Sequence, residues 1–422
     1  MAIIGIDFGD KNSCISQMKK TTNEIVINSQ SNRCTPSVIS FKGKYTVGES
    51  VGNLIISNSD KTYYNFKRIL NLFECSTNNL FLKNYEKRDN TLYFKISEKE
   101  SISIEQILAF YFKHLISNIG SNISKSEIVI AIPYFYTEKQ RNVILNACKI
   151  IDVDVKCLIS DYIAVAIDYS IFEFAKNGYK EEEIINILDI GAESLCFSNI
   201  KFLEKDLKVI YVNHINNFGG NYIDELLVKY FSNKINKDYN LDVLNNSKLY
   251  EKLYQVCEKL KKDITLGNQA SIFIENFYQD IDIKYSVNRT EYLEITKNLD
   301  KQLLDFLNKY CQGSQKFKTL IVGSGNRIYN FKKIIDDFFK DNISKQANME
   351  ESVARGCGYL SGMLSNNSVI KSINIYDMLT EPIEIIVQNS KINKVLFEKT
   401  FYFPQKKQMV IKSVSMKLLF MI

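Results

Sequence analysis

The stretch IIGIDFGDKNS, residues 3–13, decides the fold, because a similar stretch, IINILDIGAES, returns at residues 184–194. Each copy is an apolar run typical of a β-strand that ends in Asp, an apolar residue and Gly, and a Ser follows after three residues in the first copy and two in the second. The two aspartates are Asp7 and Asp189. Two strand–Asp–turn units, each opening a segment of about 180 residues, predict two similar lobes that face one another.

A strand that ends in Asp and turns through Gly suits a nucleotide. Gly lets backbone N–H groups approach phosphate oxygens, and the carboxylate can hold Mg²⁺ directly or through its waters. Two such turns facing each other would hold the phosphates from both sides. From the residues alone, either turn can equally be an ordinary strand-ending turn, and only the matched pair favours the nucleotide interpretation.

Composition excludes several classes of protein. A formal net charge of +6 on 422 residues is too dilute to predict nucleic-acid or membrane binding by itself. Only His114 and His214 are histidines, which argues against a multi-histidine metal centre and a His-based catalytic triad. The nine cysteines include no CxxC pair and favour reduced thiols over a disulfide framework or a zinc site.

No apolar run reaches the length of about 18 residues that a membrane span requires. Met1 and Ala2 lead directly into the first strand, so no presequence is expected. These features predict a soluble, intracellular protein.

The pattern between and after the two turns is mixed α/β. Buried strands are predicted at 128–135 and at 319–327, the latter breaking into a Gly turn. Thr137, with Gln140 three residues later, predicts a capping box that opens a helix. Helical spacing of apolar residues covers 251–265, and small residues at 351–364 predict a tightly packed helix.

With these motifs in place, the chain resembles the seventy-kilodalton heat-shock chaperone superfamily, whose fold is the actin-like ATPase fold. Within it, the chain is most similar to the large, hundred-and-ten-kilodalton branch. The resemblance runs collinearly from residue 3 to about 365 through these blocks: GIDFGDKNS (5–13), NRCTPSVISF (32–41), NFKRILNL (65–72), AIPYFYTEKQR (131–141), ISDYIAVAIDYSIF (159–172), LDIGAES (188–194), FGG (218–220), CEKLKKDIT (257–265) and VGSGNR (322–327).

The resemblance implies ATP or ADP with Mg²⁺ as cofactors, and a role for each matching residue. Asp7 and Asp189 would hold the hydrated metal, and Lys67 would reach the γ-phosphate and the attacking water. Asp161 stands where the chaperones carry glutamate, and the large branch also has Asp there. Lys67, Asp161 and Asp189 are therefore the candidate catalytic residues.

The remaining implied contacts surround the nucleotide. Arg327 would stack on the base, and Pro133 and Arg141 would relay the nucleotide state toward a linker, although a plain strand-end Pro is an equal alternative for Pro133. Without the resemblance, the helix face of residues 258–265 would be an ordinary solvated face. The implied nucleotide-binding residues are Gly9, Asp10, Lys11, Asn12, Gly191, Ala192, Glu193, Ser194, Gly219, Gly220, Glu258, Lys261, Lys262, Thr265, Gly323, Ser324, Gly325 and Arg327.

Both phosphate turns depart from the chaperone pattern. Two threonines are replaced by Asp10 and Lys11, and part of a glycine run is replaced by Ala192 and Glu193. A carboxylate about 5 Å from a phosphate costs roughly 3 kcal/mol at an effective dielectric near 20, unless Lys11 or a cation offsets it or the side chain points away. We therefore expect ATP binding with slow Mg²⁺-dependent hydrolysis at most.

The expected fold class is α/β: a two-lobed actin-like ATPase fold, followed by a linker and a partial β-sandwich segment. The predicted boundaries are 1–183 for lobe I, 184–365 for lobe II, 366–380 for the linker and 381–422 for an incomplete β-rich segment of the substrate-binding type. The apolar end MKLLFMI would leave unpaired strand edges, which favours an incomplete domain.

The leading functional hypothesis is an ATP-binding co-chaperone, a nucleotide exchange factor for a seventy-kilodalton chaperone, which also contacts unfolded polypeptide. We expect no nucleic-acid or membrane partner, and a cytoplasmic location with the nucleus as the alternative. The second hypothesis is a divergent chaperone of the same type with its own slow ATPase. Residues 371–382, KSINIYDMLTEP, lack the leucine run of such chaperones, which argues against it.

Three further alternatives remain open at the level of sequence. A small-molecule kinase or an actin-like filament protein would share the two lobes and the paired turns. A degenerate scaffold without nucleotide would keep only the fold.

Overall fold

The structure is a computed structural model of the chain. It describes residues 2–20, 22–74, 85–89, 91–120, 126–178, 182–344, 348, 350–365 and 372–378, without the side chains of 174–177. Beyond residue 378 it describes only the backbone of five strands. Most of the predicted linker and much of the segment 381–422 therefore lie outside the described residues.

The first lobe is built on a mixed sheet whose central strand ends in Asp7. Strand β1 is apolar and buried, pairs in parallel with β11 and antiparallel with β2, and so carries the first turn at its carboxyl end. The sheet order is β12-β11-β1-β2-β3, with β4 paired to β2. The strands of this half are β1 (Ile3–Asp7), β2 (Asn12–Met18), β3 (Asn23–Ile25), β4 (Cys34–Pro36), β5 (Val38–Lys42), β6 (Lys44–Val47), β7 (Thr62–Tyr64), β8 (Tyr85–Arg88), β9 (Thr91–Lys95), β10 (Ser101–Ser103), β11 (Glu127–Ile132) and β12 (Asp154–Ser160).

The second lobe repeats this arrangement. Strand β13 pairs antiparallel with β14 and in parallel with β18, as β1 does with β2 and β11. The sheet order is β19-β18-β13-β14-β15-β20-β23. The repetition confirms the two-lobed α/β fold. Its strands are β13 (Glu183–Ile190), β14 (Ser194–Leu203), β15 (Asp206–Asn216), β16 (Gln269–Tyr278), β17 (Ile281–Asn288), β18 (Lys318–Val322), β19 (Ile343–Ser344), β20 (Asn374–Met378) and β23 (Tyr402–Phe403).

Helices connect the strands and cover the sheets. The backbone N–H of Thr137 donates to Gln140 Oε1 at 2.9 Å at the start of α4, as the capping pattern predicts. The predicted helices at 251–265 and 351–364 lie within α7 and α10. The helices are α1 (Leu54–Ser57), α2 (Phe66–Asn71), α3 (Ile104–Ser117), α4 (Glu138–Ile150), α5 (Asp161–Asn177), α6 (Gly220–Tyr239), α7 (Ser247–Leu266), α8 (Arg289–Tyr310), α9 (Tyr329–Phe339) and α10 (Ser352–Leu364).

Helix α10 joins the lobes because its glycines allow very close packing. A Cβ added to Gly356 would lie 1.8 Å from the carbonyl oxygen of Ala164 in α5. A Cβ on Gly5 in β1 would lie 2.0 Å from the backbone nitrogen of Gly358. One apolar cluster combines Val353 and Leu360 of this helix with buried residues of both sheets, separate from the core of each lobe.

Residues 374–378, inside the segment predicted as linker, form strand β20. This strand adds to the edge of the second sheet, with Asn374, Ile375 and Tyr376 in parallel register with Asp206, Leu207 and Lys208. Further along, the backbone forms the hairpins β21 (Ile383–Ile386) with β22 (Asn393–Phe397), and β24 (Lys406–Ile411) with β25 (Met416–Met421). Among the described residues, no helix combines the length and apolar character needed to cross a membrane.

Candidate functional site

The two predicted turns meet in the cleft between the lobes, where Asp7 and Asp189 lie close together. Burial raises the pKa of the Asp7 carboxyl to about 7; nearby Lys67 opposes this rise, and Asp161 and Asp189 add to it. Burial likewise raises the pKa of Asp189 to about 7, with Asp161 adding to the rise and Lys67 opposing it. Three carboxyls and one ammonium therefore share one desolvated site.

Lys67 lies at the centre of this group. Its Nζ is 3.5 Å from Asp161 Oδ2, and both side chains are less than one-fifth exposed. Burial alone would lower the pKa of Lys67, but the attraction of Asp161, Asp7 and Asp189 raises it above its ordinary value. Lys67 lies in the first turn of α2, and Asp161 is the first residue of α5. These two helix starts place the ammonium beside the carboxyls, where a bound phosphate would add negative charge.

The donor set fits a hydrated Mg²⁺ ion rather than a fully ligated metal. The described residues contain no cluster of three or more His, Cys, Asp or Glu side chains that could ligate an ion directly. Mg²⁺ usually keeps several waters and binds through one or two carboxylates together with phosphates. The buried Oδ1 of Asp161 has no hydrogen-bond partner among the described residues, which fits water or ligand at this position.

Asp10, one of the two unexpected acids, points into a protein network. Its Oδ1 accepts from the backbone N–H of Lys67 at 2.9 Å, and its Oδ2 accepts from Asn221 Nδ2 at 2.8 Å. The residue is 5% exposed. Asp10 therefore links the first turn to α2 in its own lobe and to α6 in the other.

Glu193, the second unexpected acid, is neutralised across the cleft. Both its carboxylate oxygens accept from Arg68 Nε, at 3.0 and 3.1 Å, and Arg68 also pairs with Glu225. Asn221 Nδ2 and the hydroxyl of Tyr222 donate to the same carboxylate. Burial raises the pKa of Glu193 to about 7, Asp10 adds to the rise, and Arg68 opposes it.

Lys11 extends this bridge on the other side of the first turn. Its ammonium donates to the hydroxyl of Tyr254 at 2.7 Å and lies 3.5 Å from Glu258 Oε2, both on α7. The ammonium also lies 4.6 Å from the centre of the Tyr254 ring. Asp10, Lys11 and Glu193 therefore join the two lobes directly. We call these three residues, together with Arg68 and Asn221, the cross-cleft network.

Tight backbone packing shapes both turns. A Cβ on Gly9 would lie 1.9 Å from the carbonyl oxygen of Asn12, the exposed residue that opens β2. In the second turn, the N–H of Gly191 donates to the carbonyl of Ser194 at 3.1 Å. Gly219, with a φ of +130°, packs against the carbonyls of Gly191 and Ala192. Position 219, just before the start of α6, therefore accepts only glycine.

The predicted ribose and adenine face of α7 is divided in the structure. Lys261 is 9% exposed and donates to Asp224 Oδ2 at 2.7 Å and to the carbonyl of Gly220 at 3.0 Å. Lys262 is exposed and pairs with Glu258, while the Thr265 hydroxyl donates to the backbone carbonyl of Lys261. Glu258 and Lys262 thus lie at the cleft surface, and Lys261 supports α6 from beneath.

The turn after β18 lies against the second Asp turn. Gly323 has a φ of +81°, and an added Cβ would lie 2.4 Å from Asp189 Oδ1. A Cβ on Gly325 would meet Ile190 and Gly191. The nearby Ser324 and the exposed Arg327 both contact Glu350, so the guanidinium stays at the surface.

Pro133 lies near two of the candidate catalytic residues, and Arg141 binds the backbone of the segment that follows it. A cavity lined by Pro133, Tyr134, Tyr162 and Cys196 also exposes Asp161 and Asp189. The Arg141 guanidinium donates to the backbone carbonyls of Tyr136 and Tyr134. Tyr162, directly after Asp161, donates to Asp377 Oδ1 of β20 at 2.6 Å, and Ser160 donates to the same carboxylate.

Sequence reasoning missed several residues that complete the site. Arg68 stands beside Lys67, and the Lys-Arg pair is the one signal that could have drawn attention to it. Asn221 directly follows the two glycines of the FGG block, yet its role depends on the opposite lobe. Asp377 belongs to a segment predicted as linker. Each acts through a partner distant in sequence, which local patterns do not reveal.

Comparison with known proteins assigns the family. The sequence profile described as Hsp70 protein matches residues 3–418. The chain is 29% identical over 403 residues to heat shock protein 88 of Dictyostelium discoideum, a match that covers 91% of this chain and 52% of that protein.

Two other relatives match over a similar range. A heat shock protein homolog of Saccharomyces cerevisiae is 27% identical over 393 residues, covering 89% of this chain and 57% of the homolog. Heat shock 70 kDa protein 4 of Rattus norvegicus is 28% identical over 404 residues, covering 91% and 48%. The chain spans about half the length of these curated relatives.

Proposed function

Because the chain belongs to the Hsp70 protein family, we propose that it is an ATP-binding co-chaperone that accelerates ADP release from a seventy-kilodalton chaperone. In this proposal the chain binds ATP or ADP with Mg²⁺, as members of the family do in general, and hydrolyses ATP slowly at most. Its partners are the chaperone and unfolded polypeptide. The proposed location is the cytoplasm or the nucleus. The family assignment gives no support to the kinase or filament alternatives.

The observation that supports this proposal is the cross-cleft network beside the group formed by Lys67 and three carboxyls. Asp7, Lys67, Asp161 and Asp189 surround one desolvated space. Asp10 and Glu193 hold the two turns together through Asn221 and Arg68. We infer that binding contacts are retained while the turns are less free to rearrange around a γ-phosphate during hydrolysis.

The organisation proposed for this role keeps the predicted boundaries. Lobe I (1–183) and lobe II (184–365) would form the nucleotide-dependent surface that faces the partner. Residues 366–380 would be the linker, with β20 docked on lobe II, and 381–422 the β-rich segment. The resemblance to the large branch directs the proposal toward nucleotide exchange rather than toward peptide folding.

Release of a labelled ADP from a seventy-kilodalton chaperone tests this function. We expect substoichiometric, ATP-loaded chain to accelerate release, and the acceleration to fall in Lys11→Ala, which loses the contacts with Tyr254 and Glu258. Lys297→Ala is the matched control, because Lys297 lies on α8 away from the cleft network and pairs, within the described part of the chain, with exposed Glu294. Unchanged ADP release with folded, ATP-loaded chain would contradict the proposed exchange activity.

The alternative is a divergent chaperone with its own slow ATPase. It is favoured by one observation, the complete group of Lys67 with three carboxylates. Peptide-stimulated ATP turnover by the chain alone would support this alternative, and turnover that peptide leaves unchanged would argue against it.

A further inference from the structure

Two cysteines face each other across neighbouring strands beside the first turn. Strands β2 and β4 are antiparallel, and Cys14 lies directly opposite Cys34 in their register. Opposite residues of antiparallel strands have Cα atoms about 4.5–5.5 Å apart, within the range of about 4.4–6.8 Å that a disulfide spans. Cys14 Sγ donates to the backbone carbonyl of Arg33, the residue that precedes Cys34, at 3.3 Å.

The two thiols differ in access. Cys14 is 2% exposed and packs with Ile25 and Ala354, whereas Cys34 is only partly buried at the edge of that cluster. A partly exposed thiol is reached first by an oxidant in solution, and the buried neighbour directly opposite it is placed to complete the reaction.

We propose that Cys14 and Cys34 form a redox-sensitive pair that closes to an intramolecular disulfide on reaction with a small-molecule disulfide. The Cys34 thiolate attacks one sulfur of the reagent, forms a mixed disulfide and releases one thiol. The Cys14 thiol then gives its proton to solvent and attacks Cys34 Sγ, which releases the second thiol. One reagent disulfide is reduced to two thiols while the two cysteines are oxidised.

A disulfide between Cys14 and Cys34 would restrict the movement of the first turn. Strand β4 leads into Ser37, whose hydroxyl donates to the carbonyl of Gly9 at 2.7 Å and whose N–H donates to the carbonyl of Lys11 at 2.9 Å. A covalent link between β2 and β4 therefore tethers both strands that frame this turn. This inference rests on the strand register and thiol environment, and it stands independently of the proposed exchange activity.

Oxidised glutathione is the probe for the test. The folded full chain is incubated with it, remaining thiols are alkylated, and peptides are mapped by mass spectrometry. We expect a peptide pair linked through Cys14 and Cys34. Amide hydrogen exchange in residues 33–37 should be slower in the linked chain, and unchanged exchange there would overturn the tethering.

Single variants distinguish the two steps. Cys14→Ser should stop at a glutathione adduct on Cys34, and Cys34→Ser should leave Cys14 reduced. Cys148→Ala, at a buried site on α4, serves as the control and should form the linked pair as before. The proposal is overturned if the wild-type chain keeps both thiols free, or retains the adduct on Cys34 without closing the bond.

Discussion

Arg68 is a buried cation that pairs with two carboxylates of the other lobe. Its side chain is 5% exposed, it pairs with Glu193 and Glu225, and its guanidinium lies 4.8 Å from the centre of the Tyr222 ring. These contacts connect α2 of lobe I with the second turn and α6 of lobe II. A buried pair contributes modestly as a whole, but loss of one partner leaves an uncompensated charge.

We expect Arg68→Ala to lower the free energy of unfolding by about 3–5 kcal/mol, because Glu193 then remains buried without its cation. The double variant Arg68→Ala/Glu193→Ala should recover at least about 1 kcal/mol of that loss. Urea denaturation monitored by circular dichroism measures all variants. Lys297→Ala, which breaks an exposed pair with Glu294, should change the free energy by less than about 1 kcal/mol. Equal losses in the single and double variants would contradict the assigned ion pair.

Glu251 connects the lobes through a hydrogen bond instead of an ion pair. The hydroxyl of Tyr64, on β7, donates to its carboxylate on α7. Burial raises the pKa of Glu251 from 4.5 to about 7, and this hydrogen bond and Lys11 oppose the rise. Because the folded-state pKa is raised, the folded chain binds the proton more tightly than the unfolded chain does.

The contribution of Glu251 to stability should therefore be complete below about pH 4.5 and should be lost as the pH rises through about 7. We expect Glu251→Gln to flatten the dependence of the unfolding free energy on pH between about 5 and 8. At pH 8 the variant should be more stable than wild type by up to about 3 kcal/mol. Parallel pH profiles for the two chains would show that Glu251 does not titrate in this way.

Local sequence patterns identify some of the site residues but not the contacts that others make. Asp7, Asp189, Lys67 and Asp161 were found because a repeated strand–turn and a collinear resemblance identify them. The orientations of Asp10 and Glu193 could not be predicted, because they depend on Asn221 and Arg68. The partners lie on other elements, up to 211 positions away in the chain.

Among the elements, α10 depends most on small side chains. Gly356 packs against the backbone of Ala164, and no side chain fits at that crossing. Alanine has the higher helix propensity by about 1 kcal/mol, but the overlap with a backbone carbonyl outweighs that gain.

Gly356→Ala should therefore lower the free energy of unfolding by about 1–3 kcal/mol or more. Gly313→Ala is the matched control, since no atom of the described residues beyond its chain neighbours lies within 4 Å of the added Cβ, and its effect should stay within about 0.5 kcal/mol. Thermal unfolding followed by circular dichroism compares the two. A neutral or stabilising Gly356→Ala would mean that α5 and α10 are less tightly packed than described.

Strand β20 could not be predicted from its own residues. The helices α4, α7 and α10 follow from capping and apolar spacing within one segment. Residues 374–378 carry a short, polar pattern, and their strand forms only because the edge of β15 is available for pairing. A partly buried contact then holds the strand, since Asp377 accepts from Tyr162 and Ser160.

Tyr162→Phe removes a hydroxyl that donates to the partly buried Asp377 carboxylate, at a cost of about 1.5–3 kcal/mol. We expect faster amide hydrogen exchange in residues 374–378 as β20 detaches more often. Tyr285→Phe is the control, because its hydroxyl donates at 2.6 Å to an exposed aspartate, Asp238, far from β20 in sequence. Equal exchange in wild type and Tyr162→Phe would show that the Asp377 contact does not hold the strand.

In the whole molecule, two copies of one sheet topology bring two Asp turns together. A third apolar cluster and α10 join the copies behind the turns, and the cross-cleft network joins them in front. The two-lobed topology was predictable, because the turn motif repeats and the blocks are collinear with a known family. The cross-cleft network was not, since Asp10, Lys11 and Glu193 form it at positions where the turns depart from the chaperone pattern.

The most direct test of the proposed nucleotide site is a single-turnover measurement on the isolated complex of the chain with Mg²⁺ and radiolabelled ATP. We expect Mg²⁺-dependent retention of ATP, which Asp189→Asn should weaken. We also expect hydrolysis about tenfold or more slower than in an ordinary seventy-kilodalton chaperone measured alongside. Absence of Mg²⁺-dependent retention, or hydrolysis as fast as in that chaperone, would contradict a nucleotide site adapted for binding.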